Sequence, residues 1–548
     1  MTSHVLSPAL APPVATTARP EPRPWVQSWR ALAAVAFGSA LALAVHGYQF
    51  GKSNHGVYLL DAMRDARPEL LANDWFTTQT LQYHAAFGLL TRVLYEADLI
   101  APVFLAGYLA LIVLLHVAWW RMVRALGGGG AAFVVSAALF YLLAGGTGLG
   151  MYQFLQDSAF LPSNIAAVAM LWAIALWLGG SRAAAGACLG VAGLFHLNFA
   201  LVGVVLWGSL NLLELRRGGQ AWRQRWFWIG SAAALLPSLV NIALALRATA
   251  SRSNRMPLAE FVDLYVRLRH PHHYDPSSWP AWLWITFALP LPLAALAYAR
   301  LAGAPRVTRA WREAALICGL FALMLVVALL GAGLTFVSET LVQASLYRFS
   351  IFPKLLACAA AALLITDVAR ARSRHAPRAI VAAAAAIGAG IIAGCVHRGP
   401  YLGLFRVVHE EPAFVAACAS VRARTPVDAV FVVPPNEQDF RLGAQRAVVV
   451  DFKGVPQLSA ELSQWRDRLQ AVLDLPDLRV LPRPFPATLR AIRDRYQKLP
   501  PEHLAAVARR YGARYLFLAH RLPEQWEPLR VDLDGNTSRF LYDLDRQR

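Results

Sequence analysis

The stretch AAAGACLGVAGLFHLNFALVGVVLWGSLNLLE (residues 183–214) decides how this chain threads through a membrane. As a single long helix it would place Arg216 and the arginines after it on the outer side, against the excess of Lys and Arg in cytoplasmic loops. As two helices that meet at FHLN (195–198), it returns those arginines to the cytoplasm. Each helix would have about 14 residues, fewer than the roughly 20 of a full span, so their tip would lie within the outer half of the bilayer. We therefore predict a helical hairpin here.

The rest of the sequence has the composition of a multi-pass membrane protein. Of the 548 residues 57% are hydrophobic, and the mean hydropathy is +0.43, because apolar runs recur along the chain. The formal net charge of +19 comes mostly from arginines in short clusters between these runs. That pattern is typical of cytoplasmic loops and argues against nucleic acid as a partner. Besides 183–214, the apolar runs are 30–46, 100–120, 131–149, 161–179, 226–246, 280–299, 313–334, 349–366 and 379–396.

These runs predict a polytopic α-helical protein of the bacterial inner (plasma) membrane. With the hairpin counted as two helices there are about 11 spans, which puts the N-terminus in the cytoplasm and the C-terminus outside. The predicted parts are a disordered cytoplasmic tail (1–29), a transmembrane helical core (30–396) with long outer loops at 48–99 and 247–280, and a small extracytoplasmic α/β domain (397–548).

The predicted C-terminal domain rests on short β-rich runs that alternate with helical patterns. The runs AVFVVPP (429–435), AVVVDF (447–452) and RYLFLAH (514–520) are rich in β-branched and aromatic residues. Helical periodicity with charged faces lies between them, around 411–423, 457–473 and 501–511. Such alternation predicts a small α/β domain.

A basic segment in the second long outer loop, YVRLRHPHHYDPSSWP (265–280), breaks the charge rule that the other loops obey. Guanidinium groups bind phosphate oxygens in pairs, and imidazoles can assist, so we predict an anion-binding loop. A divalent metal is the second interpretation, although no cysteine or carboxylate pair completes a familiar ligand set. A loop stiffened by two prolines, with exposed histidines, is the third. The candidate residues are Arg267, Arg269, His270, His272, His273 and Tyr274.

Two further polar residues lie where the predicted spans meet the outer side. Arg348 follows an outer loop and is either a second phosphate ligand or an arginine at the membrane interface. His196 lies at the hairpin tip, where an ionisable group within the membrane is a functional candidate and a packing role is the alternative.

Carboxylates in the first outer loop are candidates for a general base or a metal ligand. Asp61 and Asp65 lie one helical turn apart, and a solvated helix face would explain them equally well. Asp74 could instead cap a helix or form a turn. His55 and His84 are possible partners of these acids.

Several short motifs together resemble a family of bacterial polytopic membrane proteins of uncharacterised function. They are NH (54–55), NDWF (73–76), FHLN (195–198) and HPHHYDP (270–276), followed by a mixed α/β tail. This family is in turn similar to the GT-C glycosyltransferase superfamily. The resemblance implies an enzyme with many transmembrane spans. Its partners would be membrane lipid and a polyprenyl-phosphate carrier from which it takes a sugar.

The same resemblance implies that a carboxylate of the first outer loop serves as base or metal ligand. Asp74 would take that role, or else Asp61 or Asp65, with Asn54, His55 and His84 among the substrate-binding residues. No adjacent pair of acids follows the first span, which departs from the GT-C pattern and leaves a divalent metal as an open question. The alternatives from other classes are a carrier or flippase of lipid-linked substrates and a membrane scaffold.

Overall fold

The computed structural model describes residues 29–81, 84–216, 220–250, 256–304, 307–373, 375–397, 412–531 and 539–546. The predicted tail therefore lies outside the described residues except for Trp29, as does the junction predicted near residue 397. The α-helices before that junction are α1 (Trp29–His46), α2 (His55–Tyr58), α3 (Leu60–Ala66), α4 (Trp75–Gln79), α5 (Ala85–Glu96), α6 (Ile100–Ala125), α7 (Gly130–Leu142), α8 (Pro162–Leu178), α9 (Arg182–Phe195), α10 (Leu197–Arg216), α11 (Arg225–Ala250), α12 (Leu258–Phe261), α13 (Pro271–Tyr274), α14 (Ala281–Ala288), α15 (Pro290–Leu301), α16 (Thr308–Leu329), α17 (Glu339–Gln343), α18 (Ile351–Arg372) and α19 (Ala376–His397).

Among the described residues, eight helical segments are long and apolar enough to cross a membrane. A ninth is formed if the segment 149–158 and α8, which meet at an angle of 107°, are counted as one broken span. The helices α7 and α9 are apolar but shorter than a span. The chain is thus a polytopic helical membrane protein, as predicted, and the exact number of spans stays a prediction. The segment Glu339–Arg372, which contains α17 and α18, is the most buried of the eight, with 94% of its apolar 18-residue window buried.

The hairpin predicted at FHLN is present. Helix α9 ends at Phe195, His196 is extended (φ −151°, ψ 122°), and α10 begins at Leu197. The two helices then return along each other, because the guanidinium of Arg182 at the start of α9 lies 3.0 Å from the carboxylate of Glu214 near the end of α10. The second arm has 20 residues, longer than predicted, since its apolar character continues to the arginines at its end.

The segments predicted on the cytoplasmic side and those predicted outside lie at opposite ends of the helical bundle. At one end, Arg182 pairs with Glu214 and with Glu313 at the start of α16, and its guanidinium lies 4.3 Å from the Trp177 ring. At the other end lie the hairpin tip and both long loops. The order of the chain through the bundle therefore agrees with the predicted hairpin. Which end faces the cytoplasm stays a prediction from loop charge.

The second long loop contains an irregular helix. Residues Val262–Arg269 form a π-helix between α12 and α13, a rare form that is frequent at functional sites. The widened turn ends at Arg269, and His270 has non-helical backbone angles (φ −127°, ψ 42°). Pro271 then starts α13, where its missing N–H is tolerated. This local sequence directs Arg269 and the histidines after it toward the centre of the protein.

A small α/β domain follows the last long helix. Its helices are α20 (Pro412–Arg424), α21 (Phe440–Ala444), α22 (Ser459–Leu473), α23 (Phe485–Tyr496) and α24 (Pro501–Arg510). Its strands are β1 (Val430–Val432), β2 (Ala447–Val448), β3 (Tyr515–Leu518), β4 (Leu529–Val531) and β5 (Arg539–Asp543). The sheet order is β2-β1-β3-β5-β4, with β2, β1 and β3 parallel and β5 and β4 antiparallel to their neighbours.

The three predicted β-rich runs and the three predicted helical patterns of this domain are confirmed. The predicted run 447–452 is a strand only at its first two residues, after which the chain leaves the sheet. Helix α23 and the β4–β5 pair were not predicted. The domain packs on the first long loop, where Trp75 Nε1 donates to Gln464 Oε1 at 2.8 Å and Asn73 Nδ2 donates to the Asp428 carbonyl at 2.9 Å.

Candidate functional site

The loops at one end of the bundle and the α/β domain enclose a cavity of about 1150 Å³. Its polar wall comes from the first long loop, the segment 147–158, the hairpin tip, the region of the π-helix and the loop 453–458 of the α/β domain. Another part of the wall is apolar and belongs to the outer faces of α5, α10, α11 and α14. The exposed apolar side chains there include Leu89, Leu201, Leu244 and Trp282. The cavity therefore reaches the surface that would face lipid.

Three cationic side chains meet in this cavity from three distant parts of the chain. Arg269 ends the π-helix, Arg348 lies in the turn before α18, and Lys453 follows β2. In the part of the chain that the structure describes, none of the three is ion-paired with a carboxylate. Arg348 Nε is buried without a hydrogen-bond partner, and its guanidinium lies 4.5 Å from the centre of the Tyr152 ring. Cations that are grouped in this way and form no direct salt bridge favour the binding of an anion.

The guanidinium of Arg269 lies between two aromatic rings and forms no ion pair among the described residues. Its side chain is 3% exposed, and the guanidinium carbon lies 5.4 Å and 5.3 Å from the ring centres of Phe452 and Phe485. One guanidinium nitrogen, Nη2, donates to the Lys453 carbonyl at 3.4 Å, while the buried Nε has no partner. Burial lowers the pKa of Arg269 to about 10. A buried cation without an ion-pair partner is costly, and an anionic ligand would offset that cost.

Lys453 is connected to a carboxylate through a serine. Its ammonium group donates to Ser53 Oγ at 3.4 Å, and Ser53 Oγ donates to Asp157 Oδ2 at 2.8 Å. Burial lowers the pKa of Lys453 to about 8, with the charge of Asp157 opposing this shift and that of Arg269 adding to it. Lys453 is therefore cationic at neutral pH and lies close to losing its charge.

Asp157 is the acid nearest to these cations. It has a left-handed backbone (φ 57°) in the turn before α8, and its Oδ2 accepts from Ser53 Oγ and, at 3.4 Å, from the Asn54 backbone N–H. Among the described residues no hydrogen-bond donor contacts its second oxygen, Oδ1. Asp61 and Asp65 also line the cavity, although Arg64 engages them at 2.6 Å and 3.4 Å. Burial raises the pKa of Asp61 and the charge of Arg64 opposes the rise.

The histidines of the basic loop lie in the cavity as neutral groups. The nitrogens His270 Nδ1 and His273 Nδ1 lie 3.0 Å and 2.7 Å from the carbonyls of Tyr265 and Gly150. Burial lowers the pKa of both rings far below the usual value and that of His272 to about 4. An imidazole whose Nδ1–H donates to a carbonyl presents Nε2 as an acceptor. Neutral rings with Nε2 as acceptor suit hydroxyl groups, and the prediction of an anion-binding loop stays a prediction.

Three more of the predicted substrate-binding residues, Tyr274, His84 and His196, also line the cavity. The Tyr274 hydroxyl lies 2.7 Å from Ser345 Oγ, which lies 2.9 Å from the Tyr152 hydroxyl. His196 and His84 pack with ring centres 4.8 Å apart, and both line the cavity. The prediction of Asn54, His84, His196, Arg269, His270, His272, His273, Tyr274 and Arg348 as substrate-binding residues stays a prediction, and all of them line this one cavity.

Asp74, the first choice for a catalytic base, does not line the cavity. Its side chain is fully buried and caps α4, with Oδ1 accepting from the Thr77 N–H at 3.0 Å. The other oxygen accepts from Arg441 Nε at 2.8 Å and from the Val448 N–H at 3.1 Å. A carboxylate with both oxygens engaged and no path to a substrate is unsuited to accept a proton. The geometry is that of the helix-cap alternative, combined with an ion pair to the α/β domain.

Two other predicted residues also lie off the cavity. His55 is fully buried, with Nδ1 accepting from the Gly51 N–H at 3.1 Å and Nε2 lying 3.2 Å from the Phe160 carbonyl. Both ring nitrogens are thus used in holding the loop. Arg267 is 43% exposed and pairs with Asp263 on its own helix at 3.0 Å.

Residues Asp157 and Lys453 were not predicted as site residues. Asp157 lies in the short loop MYQFLQDSAF (151–160), and Lys453 lies just after a predicted strand. A lysine that ends a strand of an α/β domain is a weak signal, since only the packing of that domain on the bundle brings it to the cavity. Among the described residues no group of three His, Cys, Asp or Glu side chains is arranged to hold a metal ion.

Comparisons with known proteins give two similarities. Residues 412–472, in the α/β domain, match the family described as Domain of unknown function (DUF6798), which agrees with the resemblance noted from the motifs. Among solved structures, the chain is similar to the crystal structure of ArnT from Cupriavidus metallidurans bound to undecaprenyl phosphate, with a TM-score of 0.48 and 15% identity. That alignment covers 93% of this chain and 97% of the other. A comparison with curated proteins gives no match.

Proposed function

We propose that this membrane protein transfers a sugar from a polyprenyl-phosphate carrier to a hydroxyl acceptor, at the outer face of the inner membrane. One observation carries the proposal. Arg269, Arg348 and Lys453, which form no direct salt bridge among the described residues, line the same cavity as Asp157, and part of the cavity wall consists of exposed apolar side chains. The cations fit a phosphate group and the apolar wall fits a prenyl chain.

In the proposed transfer, each polar group of the cavity has a role. The acceptor oxygen forms a bond to the anomeric carbon of the sugar, and the bond from that carbon to the phosphate oxygen breaks. The electron pair of the broken bond remains on the phosphate, where Arg269, Lys453 and Arg348 stabilise the charge as it develops. The free oxygen of Asp157 accepts the proton of the acceptor hydroxyl. The neutral histidines, with Nε2 available, accept hydrogen bonds from the sugar hydroxyls.

Asp61 and Asp65 are the alternative bases on the cavity wall. A single guanidinium, that of Arg64, contacts both, at 2.6 Å from Asp61 and 3.4 Å from Asp65. Asp157 is the base we favour, because its hydrogen bond with Ser53 places it next to Lys453 and no guanidinium contacts it among the described residues.

The test is sugar release by the purified chain in liposomes. A panel of polyprenyl phosphates carrying hexoses or pentoses is supplied with an extract of membrane glycans as acceptor, and free polyprenyl phosphate is measured. We expect one donor to be consumed, with the rate falling about 100-fold or more in Asp157→Asn. The variant Asp65→Asn, at the rim of the same cavity, is the matched control and should stay within a few-fold of wild type.

Two outcomes would contradict this function. The wild-type chain could consume none of the donors, or Asp157→Asn could consume its donor at the wild-type rate. A carrier of lipid-linked substrates would move a donor across the bilayer without consuming it. Its activity would survive loss of Asp157, so a transport assay on the same liposomes separates the two classes.

A further inference from the structure

A buried ion bridge joins the first long loop to the α/β domain, and one of its residues, Asp451, lies two positions before Lys453. Arg441 on α21 is 1% exposed and lies between two acids. Its Nε donates to Asp74 at 2.8 Å, and its Nη1 donates to the carboxylate of Asp451. The three residues come from the first loop, from α21 and from the end of the segment after β2, so the bridge joins the two parts of the protein.

Asp451 also shapes the turn that carries Lys453. Its Oδ1 accepts from the Gly454 N–H, and its carbonyl accepts from Trp465 Nε1 at 3.0 Å. The next two residues both contribute to the cation site. The Phe452 ring lies against the guanidinium of Arg269, and the Lys453 carbonyl accepts from Arg269 Nη2. A change in the bridge would therefore displace both Lys453 and the two groups that contact Arg269, the Phe452 ring and the Lys453 carbonyl.

The turn leaves little room for a side chain at position 454. A β carbon on Gly454 would lie 3.1 Å from Arg441 Nη1, 3.1 Å from Asp451 Oδ1 and 3.3 Å from a ring carbon of Phe76. These distances are shorter than ordinary van der Waals contact, and the atoms belong to the ion bridge and to the loop it holds. Replacing Gly454 by alanine would thus strain the bridge without removing a charge.

We propose that Asp74, Arg441 and Asp451 are positioning residues that hold Lys453 against the phosphate of a bound lipid, so that the α/β domain supplies part of the anion site. The inference rests on the proposed function for the identity of the anion. Stability alone is a weak reason for such a bridge, because apolar residues of similar size would often replace a buried ion pair without loss. A requirement for a fixed lysine position would account for it.

The experiment compares two ligands that share a prenyl chain and differ by one phosphate group. The affinities of the purified full-length chain for farnesyl phosphate and for farnesol are measured in detergent micelles. In Lys453→Met, we expect farnesyl phosphate to bind roughly tenfold more weakly or worse, which is about 1.4 kcal/mol, while farnesol binding is unchanged. Asp74→Asn should cause a similar loss for farnesyl phosphate alone. The double variant should lose little more than the worse single variant, because both changes remove the same contact.

A second variant keeps the test valid if Asp74→Asn does not fold. Gly454→Ala leaves every charge in place and should weaken farnesyl phosphate binding roughly three- to tenfold, with farnesol unchanged. Gly208→Ala is its control, since a β carbon there has no neighbour within 4 Å. Thermal unfolding of each variant shows which ones are folded.

The outcomes are distinguishable. If Asp74→Asn or Gly454→Ala weakens both ligands equally, or if the losses of Asp74→Asn and Lys453→Met add, the bridge is structural only and the inference is overturned. If the wild type binds farnesyl phosphate no better than farnesol, the phosphate site of the proposed function fails instead. If Lys453→Met alone loses phosphate binding, the lysine keeps its role and the positioning role of the bridge is excluded.

Discussion

Replacing Arg269 by methionine should stabilise the protein and weaken phosphate binding at the same time. Arg269 is 3% exposed and forms no ion pair with a carboxylate in the described chain. Its close contacts are two aromatic rings and one long hydrogen bond, and the charges of Asp451 and Asp157 act on it from a greater distance. Exchange of a buried ion pair for apolar side chains of similar size is often neutral or stabilising by about 1–4 kcal/mol, and we take the stabilising range for this cation, which lacks a pairing partner. Loss of the ring contacts costs about 0.5–1 kcal/mol for each ring.

The expected net change in the free energy of unfolding therefore lies between about −1 and about +3 kcal/mol, with a midpoint of about +1 kcal/mol. For the ligand the sign is opposite. A hydrogen bond to a charged group contributes about 1.5–3 kcal/mol, so the affinity for farnesyl phosphate should fall roughly 10- to 150-fold. Thermal unfolding of the purified chain in micelles, measured with and without farnesyl phosphate, reports both the change in stability and the change in affinity. Arg269→Met should unfold at a higher temperature and gain less from farnesyl phosphate than the wild type.

The neighbouring arginine provides the matched control. Arg267 is 43% exposed and already pairs with Asp263 at 3.0 Å, and exposed ion pairs contribute only about 0–1 kcal/mol. Arg267→Met should therefore change neither quantity appreciably. The reasoning is refuted if Arg269→Met unfolds at a lower temperature than the wild type while its stabilisation by farnesyl phosphate is undiminished. That result would mean that Arg269 holds the fold and does not face the ligand.

Two further predictions follow from the cavity and from the hairpin. Because burial lowers the pKa of Lys453 to about 8, the affinity for farnesyl phosphate should fall as pH rises from 7 to 9, while the fold gains stability because the unfolded chain then binds more protons. In Lys453→Arg the affinity should stay level over this range, and a parallel fall in both proteins would contradict the assignment. In α9, a β carbon at Gly190 would overlap the α11 backbone. Gly190→Ala should therefore lower the unfolding temperature, and Gly208→Ala should leave it unchanged. Equal effects of the two substitutions would mean that α9 and α11 separate easily.

The helical core and the hairpin could be predicted because their signals are local. An apolar run of sufficient length requires a helix in a bilayer, whatever its neighbours are. The arginines after residue 214 oblige the chain to turn back at FHLN, and the ion pair of Arg182 with Glu214 shows that it does. The β-rich runs 429–435 and 514–520 were identifiable for the same reason. The strand after 447 is shorter than predicted, because Asp451 turns the chain out of the sheet to meet Arg441.

The candidate site could be predicted only in part, because its charges come from distant parts of the chain. Lys453 and Ser53 are 400 residues apart in sequence and are joined by one hydrogen bond. Asp157 lies in a short loop with no motif. Asp74 was chosen from three acids of one loop, yet what separates them is exposure, since Asp61 and Asp65 face the cavity and Asp74 is buried against Arg441. Exposure is a property of the packed structure and has no signature in the local sequence.

The arginines on the side predicted to be outer differ in their partners. Arg267 has Asp263 and Arg466 has Glu260. Arg269 and Arg348 have no such acid among the described residues, and both reach the same cavity as Lys453. Lining the cavity does not by itself decide the pairing, since Arg92 also lines it and pairs with Glu96 at 2.8 Å. The informative feature of the basic loop is therefore the cation left without a counter-ion, and the total charge of the loop says less about its function.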